Sequence, residues 1–242
     1  MRRGFSIIFV FIATTLVGLV LVALFVSPKK RVNDNLTRQS QGEEPPVFIQ
    51  NIGIDFEDFE FTKNPLAFDM LFIDYGFFIP KNDMGPAKLN PQPTFILPLG
   101  TKVHALIDGV VVDTPKLYSG DYSVIVAPDK SSNWAYETEH VINVQVKLGD
   151  RVRAGQVVAE VSDYDTHNYG GLGLVEIGIL KGGSPPKHLC PFKYLDPSIK
   201  QDIENKILEF YKSWEEFKGD ENIYDESAYA SPGCLTYDEI EG

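Results

Sequence analysis

Gly100-Thr101-Lys102-Val103-His104-Ala105 is echoed further along the chain by Gly149-Asp150-Arg151-Val152-Arg153-Ala154. Each copy is followed by a glycine and valines, Gly109-Val110-Val111 after the first and Gly155-Gln156-Val157-Val158 after the second. Six matched positions in register exceed what common turn residues require. The repeat implies two similar β-hairpin units placed head to tail. Together they can close a small barrel-like sandwich that neither closes alone.

Outward from this repeat, the pattern from Phe95 to Leu180 is β throughout. Val110–Val112, Ser123–Val126, Val141–Val146, Val157–Val161 and Val175–Leu180 are short β-branched runs separated by Gly and Asp. Such spacing predicts an antiparallel sheet sandwich with its core over residues 95–180. Upstream, residues 47–80 are rich in phenylalanine (Phe48, Phe56, Phe59, Phe61, Phe68, Phe72, Phe77, Phe78) and read as further packed strands. Lys81–Pro93 holds Gly85, Pro86, Pro91 and Pro93 and reads as loop. We place this β-domain at residues 47–195.

The period then changes. Asp196-Pro197 combines an N-cap acid with proline at the first helical position. Ile203, Ile207, Phe210, Tyr211, Trp214 and Phe217 recur at helical spacing, and Gly219 stands where a C-cap glycine belongs. An amphipathic helix over 196–219, packed on the sheet, is expected, with an acidic tail over 220–242. In an oxidising compartment Cys190 and Cys234 can form one disulfide that clips this tail to the β-domain; otherwise they are separate thiols.

At the other end, Gly4–Val26 contains no charged residue. It exceeds the roughly 20 apolar residues needed to cross a bilayer. Leu24-Phe25-Val26-Ser27-Pro28 is a poor cleavage site, which favours an uncleaved anchor over a signal peptide. Residues 1–31 are therefore expected to be a single-pass membrane anchor, and residues 32–46 a linker. Both flanks are basic, so charge does not set the orientation. The sequon Asn35-Leu36-Thr37 fits an outside location. The net charge of −12, concentrated in the C-terminal tail, argues against nucleic acid as a partner.

Four stretches resemble the LytM/lysostaphin-type zinc peptidases. Gly100–Val111 is similar to that family's G-T-x-V-x-A-x-x-x-G-x-V core. His140 followed by Val146–Val157 is similar to its H-(x)n-V-x-x-G-D-x-V-x-x-G-Q segment. Leu172-Gly173-Leu174-Val175-Glu176-Ile177 occupies the place of H-L-H-F-E-I, and Tyr194-Leu195-Asp196-Pro197 resembles its closing Y-L-D-P. The resemblance implies the duplicated hybrid motif fold, which is shared with biotinyl and lipoyl carriers and with sugar-transport phosphocarriers. It also favours a translocated, extracytoplasmic β-domain.

The same resemblance assigns zinc to a His and an Asp spaced H-x-x-x-D before the Gly-Thr turn, and to the second His of H-L-H. Those places hold Asn90, Thr94 and Leu174, and Leu172 replaces the first His of the last motif. A catalytic zinc needs three protein ligands and one open position. Asn and Thr are weak neutral donors and Leu is none. His140 alone matches a family catalytic residue. A site rebuilt from His104, His140, His167 and Asp163 or Asp165 would need geometry that this spacing was not built for. The carrier functions find no support: no lysine flanked by methionine stands at a hairpin tip, and only His104 and His140 could form a phosphocarrier pair.

The sequence thus predicts a catalytically inactive relative with neither metal nor cofactor. Its old substrate groove, with His104, His140, Asn90, Thr94, Leu172, Leu174 and Glu176 as candidate lining, would bind a peptide, glycan or protein partner in the cell envelope. The alternative is a zinc endopeptidase acting on cell-wall or surface peptides.

Overall fold

The structure, a computed structural model, describes residues 44–81 and 85–242. The anchor expected over Gly4–Val26 and most of the linker lie outside the described residues. Among the described residues no helix is long and apolar enough to cross a membrane.

Two long strands form the centre of the main sheet. They are β8 (Trp134–Ile142) and β11 (Gly173–Lys181), paired antiparallel from Glu176 opposite Glu139 to Lys181 opposite Trp134. On one side follow β4 (Thr94–Leu97) and β1 (Phe72–Ile73), and on the other β7 (Tyr122–Ala127), β6 (Gly109–Asp113) and β9 (Arg151–Val152). β5 (Lys102–His104) and β10 (Val157–Val161) pair with each other, and β10 joins the end of β8. β12 (Lys187–Leu189) and β13 (Ile240–Glu241) extend the sheet beyond β11. β2 (Phe78–Ile79) and β3 (Lys88–Leu89) form a separate ribbon. All these strand pairings are antiparallel, so the domain is mainly β, as the valine runs predict.

The repeat acquires a concrete meaning in the pairing. β5 and β6 come from the first copy, β9 and β10 from the second. β5 pairs with β10 and β6 with β9, so each copy lends its strands to the other. Gly100 and Gly149 hold φ of +87° and +91°, a left-handed turn that glycine adopts without penalty, just before β5 and β9. Val103 and Val152, equivalent in the two copies, are both buried.

Helix α1 (Pro197–Lys218) begins where the Asp-Pro pair predicts. The Asp196 carboxylate accepts from the Ser198 amide at 2.8 Å, and the Gly219 amide, at φ +77°, donates to the Glu215 carbonyl. Ile207, Phe210, Tyr211 and Trp214 are buried, each such side chain contributing roughly 1.5–3 kcal/mol.

The phenylalanine-rich segment departs from its expected strands. Between residues 47 and 80 only β1 and β2 are regular strands, preceded by 3-10 turns at Phe56–Asp58 and Ala67–Asp69. Phe56, Phe59 and Phe61 do not alternate with period two, so a flat strand could not bury them on one face. The chain instead winds along α1, with Phe59 against Phe210 (4.3 Å between centroids) and Phe61 against Trp214 (5.2 Å). The helix therefore packs largely on this irregular segment. Cys190 and Cys234 are joined by a disulfide, with Cα atoms 6.0 Å apart, that ties the tail to the junction between β12 and α1. Their thiol alternative does not apply.

Candidate functional site

β8 should present alternate side chains to opposite faces. Glu137 and Glu139 accordingly share one face, and Glu176 of β11 stands directly across from Glu139. His140 follows at once and should point away. It does not, because the β7–β8 register slips by one residue between Tyr122/Val141 and Val124/Thr138. His140 sits in this bulge with φ +58°, outside the ordinary region for an L-residue. The bulge turns its ring to the same side as the carboxylates.

These groups open onto one cavity of about 610 Å³, lined among others by Glu137, Glu139, His140, Tyr164, Leu174 and Glu176. The His140 Nδ1 lies 2.9 Å from the Asp121 carboxylate, and its ring stacks on Tyr164 at 4.4 Å. Tyr118, 89% exposed, also lines the cavity and bonds the Tyr164 hydroxyl at 3.0 Å. The far wall includes His188 of β12.

Burial alone would push the His140 pKa down. The Asp121 hydrogen bond and the nearby charges of Glu176, Asp121 and Glu139 outweigh it and hold the imidazole above its ordinary value. Burial would likewise raise Asp121, but hydrogen bonds from His140, Ser119 and Ser162 keep it low. These shifts favour an imidazolium–carboxylate pair. The three glutamates shift the opposite way. Burial, followed by repulsion from Glu137 and Glu176, lifts Glu139 to about 8. Glu137 and Glu176 are also raised, foremost by burial. Burial and the charge of Lys88 push His188 down to about 4, leaving it neutral.

The positions that the resemblance assigns to zinc do not fit the ion. The Asn90 amide donates to the carbonyls of Ile73 (3.4 Å) and Asp74 (3.2 Å), and the Thr94 hydroxyl to Glu176 Oε1 (2.9 Å). Leu174 puts an isobutyl group on the cavity wall. Among the described residues no three His, Cys, Asp or Glu side chains are placed to share a metal.

Of the sequence-based lining candidates, His140, Leu174 and Glu176 line the cavity, while Asn90 and Thr94 are buried beside it. His104 and Leu172 are not on its wall. His104 lies on β5 opposite Val157, its Nδ1 without a partner among the described residues. His167 pairs with Asp165 at 3.2 Å on an exposed loop. Neither histidine converges on His140 to rebuild a donor set. Sequence reasoning missed Glu137, Glu139, Asp121, Tyr164 and His188. The alternation Glu137-x-Glu139 within a β-run was a usable signal for the first two; nothing local marked the others.

Residues 94–182 match peptidase family M23. This stretch is an M23 peptidase-like domain. Solved structures similar to the chain include the catalytic domain of the antimicrobial peptidase lysostaphin from Staphylococcus simulans. It is 19% identical, with 48% of this chain and 85% of that one covered and a TM-score of 0.38. A zinc-containing peptidase from Vibrio cholerae is 19% identical, covering 58% and 39%, with a TM-score of 0.40. A structure of the SpoIIIAH and SpoIIQ complex is 18% identical, covering 61% and 99%, with a TM-score of 0.43. Among curated proteins no match is found.

Proposed function

We propose that this chain is a membrane-anchored envelope protein whose M23-like domain binds a peptide, glycan or protein partner in its groove without hydrolysing it. The observation that carries this reading is the M23-like wall itself. The fold keeps the His140–Asp121 pair and a roomy cavity, yet a leucine stands at a zinc-ligand position, and the asparagine and threonine are committed to neighbouring groups. A buried alkyl group supplies no electron pair to a metal, and M23 chemistry depends on a metal-activated water. The buried Cys190–Cys234 disulfide supports an oxidising, extracytoplasmic setting for the domain. The apolar run Gly4–Val26 supports tethering.

The test is metal analysis of the purified full chain in detergent, alongside hydrolysis of cell-wall and surface peptides. The expected result is no stoichiometric zinc and no turnover. Stoichiometric zinc with turnover abolished in His140→Ala would establish the endopeptidase instead.

A further inference from the structure

Three glutamates meet on one cavity wall, and among the described residues none of them forms an ion pair. Glu139 stands across the β8–β11 pairing from Glu176, and Glu137 lies two residues along the same face. Glu137 Oε1 accepts from the Ser123 hydroxyl and Oε2 from the Gln92 amide at 3.3 Å; Glu176 Oε1 accepts from Thr94. The remaining oxygens of Glu176, and both of Glu139, accept no hydrogen bond from a described residue. Among the described residues, His140, already paired with Asp121, Lys88, and the neutral His188 at the far end are the basic side chains of this wall, and Asp165 adds a further acid. None of these bases lies within 4 Å of a carboxylate oxygen of the three. Glu137 is buried and Glu139 and Glu176 are half-buried; carboxylates so far withdrawn from water without a cation are rare, because their desolvation is uncompensated.

A second, independent feature points the same way. His188, 5% exposed, lies on the wall of the same cavity, and its Nδ1 has no hydrogen-bond partner among the described residues. Kept neutral by burial, this imidazole can accept a hydrogen bond from a ligand N–H. His188 pairs with Leu180, four residues along β11 from Glu176, which is about 13 Å on an extended strand. One small molecule does not reach from one end to the other; an extended peptide does. Along β11 the acids hold one end and the middle of the cavity, Glu139 opposite Glu176 and Glu137 opposite Gly178, and Leu180 with the neutral His188 holds the other; Leu174 lies beyond Glu176, and the Tyr118 ring is at the mouth.

We propose that the cavity takes an extended peptide segment carrying a primary ammonium, such as a lysine side chain, over Glu137, Glu139 and Glu176. This rests on the groove-binding reading above and names its ligand class. An ammonium offers three donors and no acceptor, matching carboxylate oxygens that, once ionised, can only accept. Its arrival also displaces protons: the carboxylates that burial keeps partly protonated ionise when the cation compensates them.

The probes are acetyl-Gly-Gly-Lys-Gly-Gly-amide, the same peptide with norleucine or glutamate in place of lysine, and free n-butylamine. Each is titrated calorimetrically into the full chain in detergent at pH 7, in two buffers of different ionisation enthalpy. The lysine peptide is expected to bind at least tenfold more tightly than the norleucine peptide, with net proton release. Glu139→Gln should erase most of that preference while its melting temperature stays near that of the parent. The proton release of the unaltered protein tests the idea even if the variant misfolds. Equal binding of lysine and norleucine peptides, or binding without proton release, overturns the ammonium site and leaves the groove reading intact. Binding of n-butylamine as tight as the peptide overturns the peptide part. Binding of none of the four overturns both.

Discussion

Two groups of acid withdrawn from water lie at opposite ends of this domain's chemistry. Asp74 is fully buried and wrapped in phenols: it accepts from the Tyr211 hydroxyl of α1 and from Tyr229 of the tail at 2.7 Å, with Tyr224 stacked on Tyr211. Glu137, Glu139 and Glu176 are raised by the same leading cause, burial, yet they face a cavity, and Glu139 has no donor among the described residues. Where the fold needs an acid, it supplies every partner from its own elements. Where it leaves acids unpartnered against open space, the missing partner belongs to something else. Asp74 is thus a structural lock joining β1, α1 and the tail, and the three glutamates are the groups available for binding.

The sharpest way to separate the two is pH. Burial lifts Asp74 to about 7, although both phenol hydrogen bonds pull it down. Between the unfolded value near 3.8 and the folded value, the native state holds a proton that the unfolded chain has released, so stability falls as pH rises through that window. The full loss is about 4 kcal/mol, complete above pH 7. Glu139 adds a fall of the same sign from its unfolded range up to about 8. His140, raised in the fold, contributes stability that is present below its unfolded value and fades as pH rises through the folded one. The domain should therefore resist urea best near pH 4 and lose midpoint steadily to pH 8. Asp74→Asn should flatten most of the slope between pH 4 and 7; an unchanged slope would place the titrating acid elsewhere.

Next in size is Tyr211→Phe. It removes one donor from a fully buried carboxyl and leaves the ring packing against Phe72 and Tyr224 in place. The expected cost is about 1–3 kcal/mol in denaturant unfolding. Peptide binding in the cavity should not change. A variant that weakens binding without loss of stability would break the division between lock and groove.

Legibility in the sequence follows the same division. The repeat was readable because close strand exchange requires glycine at matched turns and valine at matched core positions, and Gly100 with Gly149 and Val103 with Val152 satisfy both. The helix was readable because Asp196-Pro197 and Gly219 are local signals. The Phe56–Phe61 run misled, since hydrophobic content without period two fits an irregular segment against a helix as well as a strand. His140 joined the glutamates through a one-residue bulge, and register slips leave no mark in the residues that undergo them. Asp121 and His188 reach the site from distant strands, which a single sequence does not pair.

The smallest expected effect sharpens the comparison most. Glu139 stands opposite Glu176 and near Glu137, so each ionised neighbour raises the cost of its own charge. Gln keeps the shape and removes one of the mutually repelling acids. It also breaks no hydrogen bond, because the Glu139 carboxylate accepts none from a described residue. At pH 5, where the parent carboxyl is protonated, Glu139→Gln should shift stability by no more than about 0.5 kcal/mol, the usual range for a substitution that disturbs no packing or network. At pH 8 the variant should be the more stable of the two, because the parent by then bears the cost of its buried charge. Paired urea titrations at the two pH values read this crossover directly. A variant markedly less stable at pH 5 would mean that Glu139, like Asp74, serves the fold, and would remove it from the binding wall.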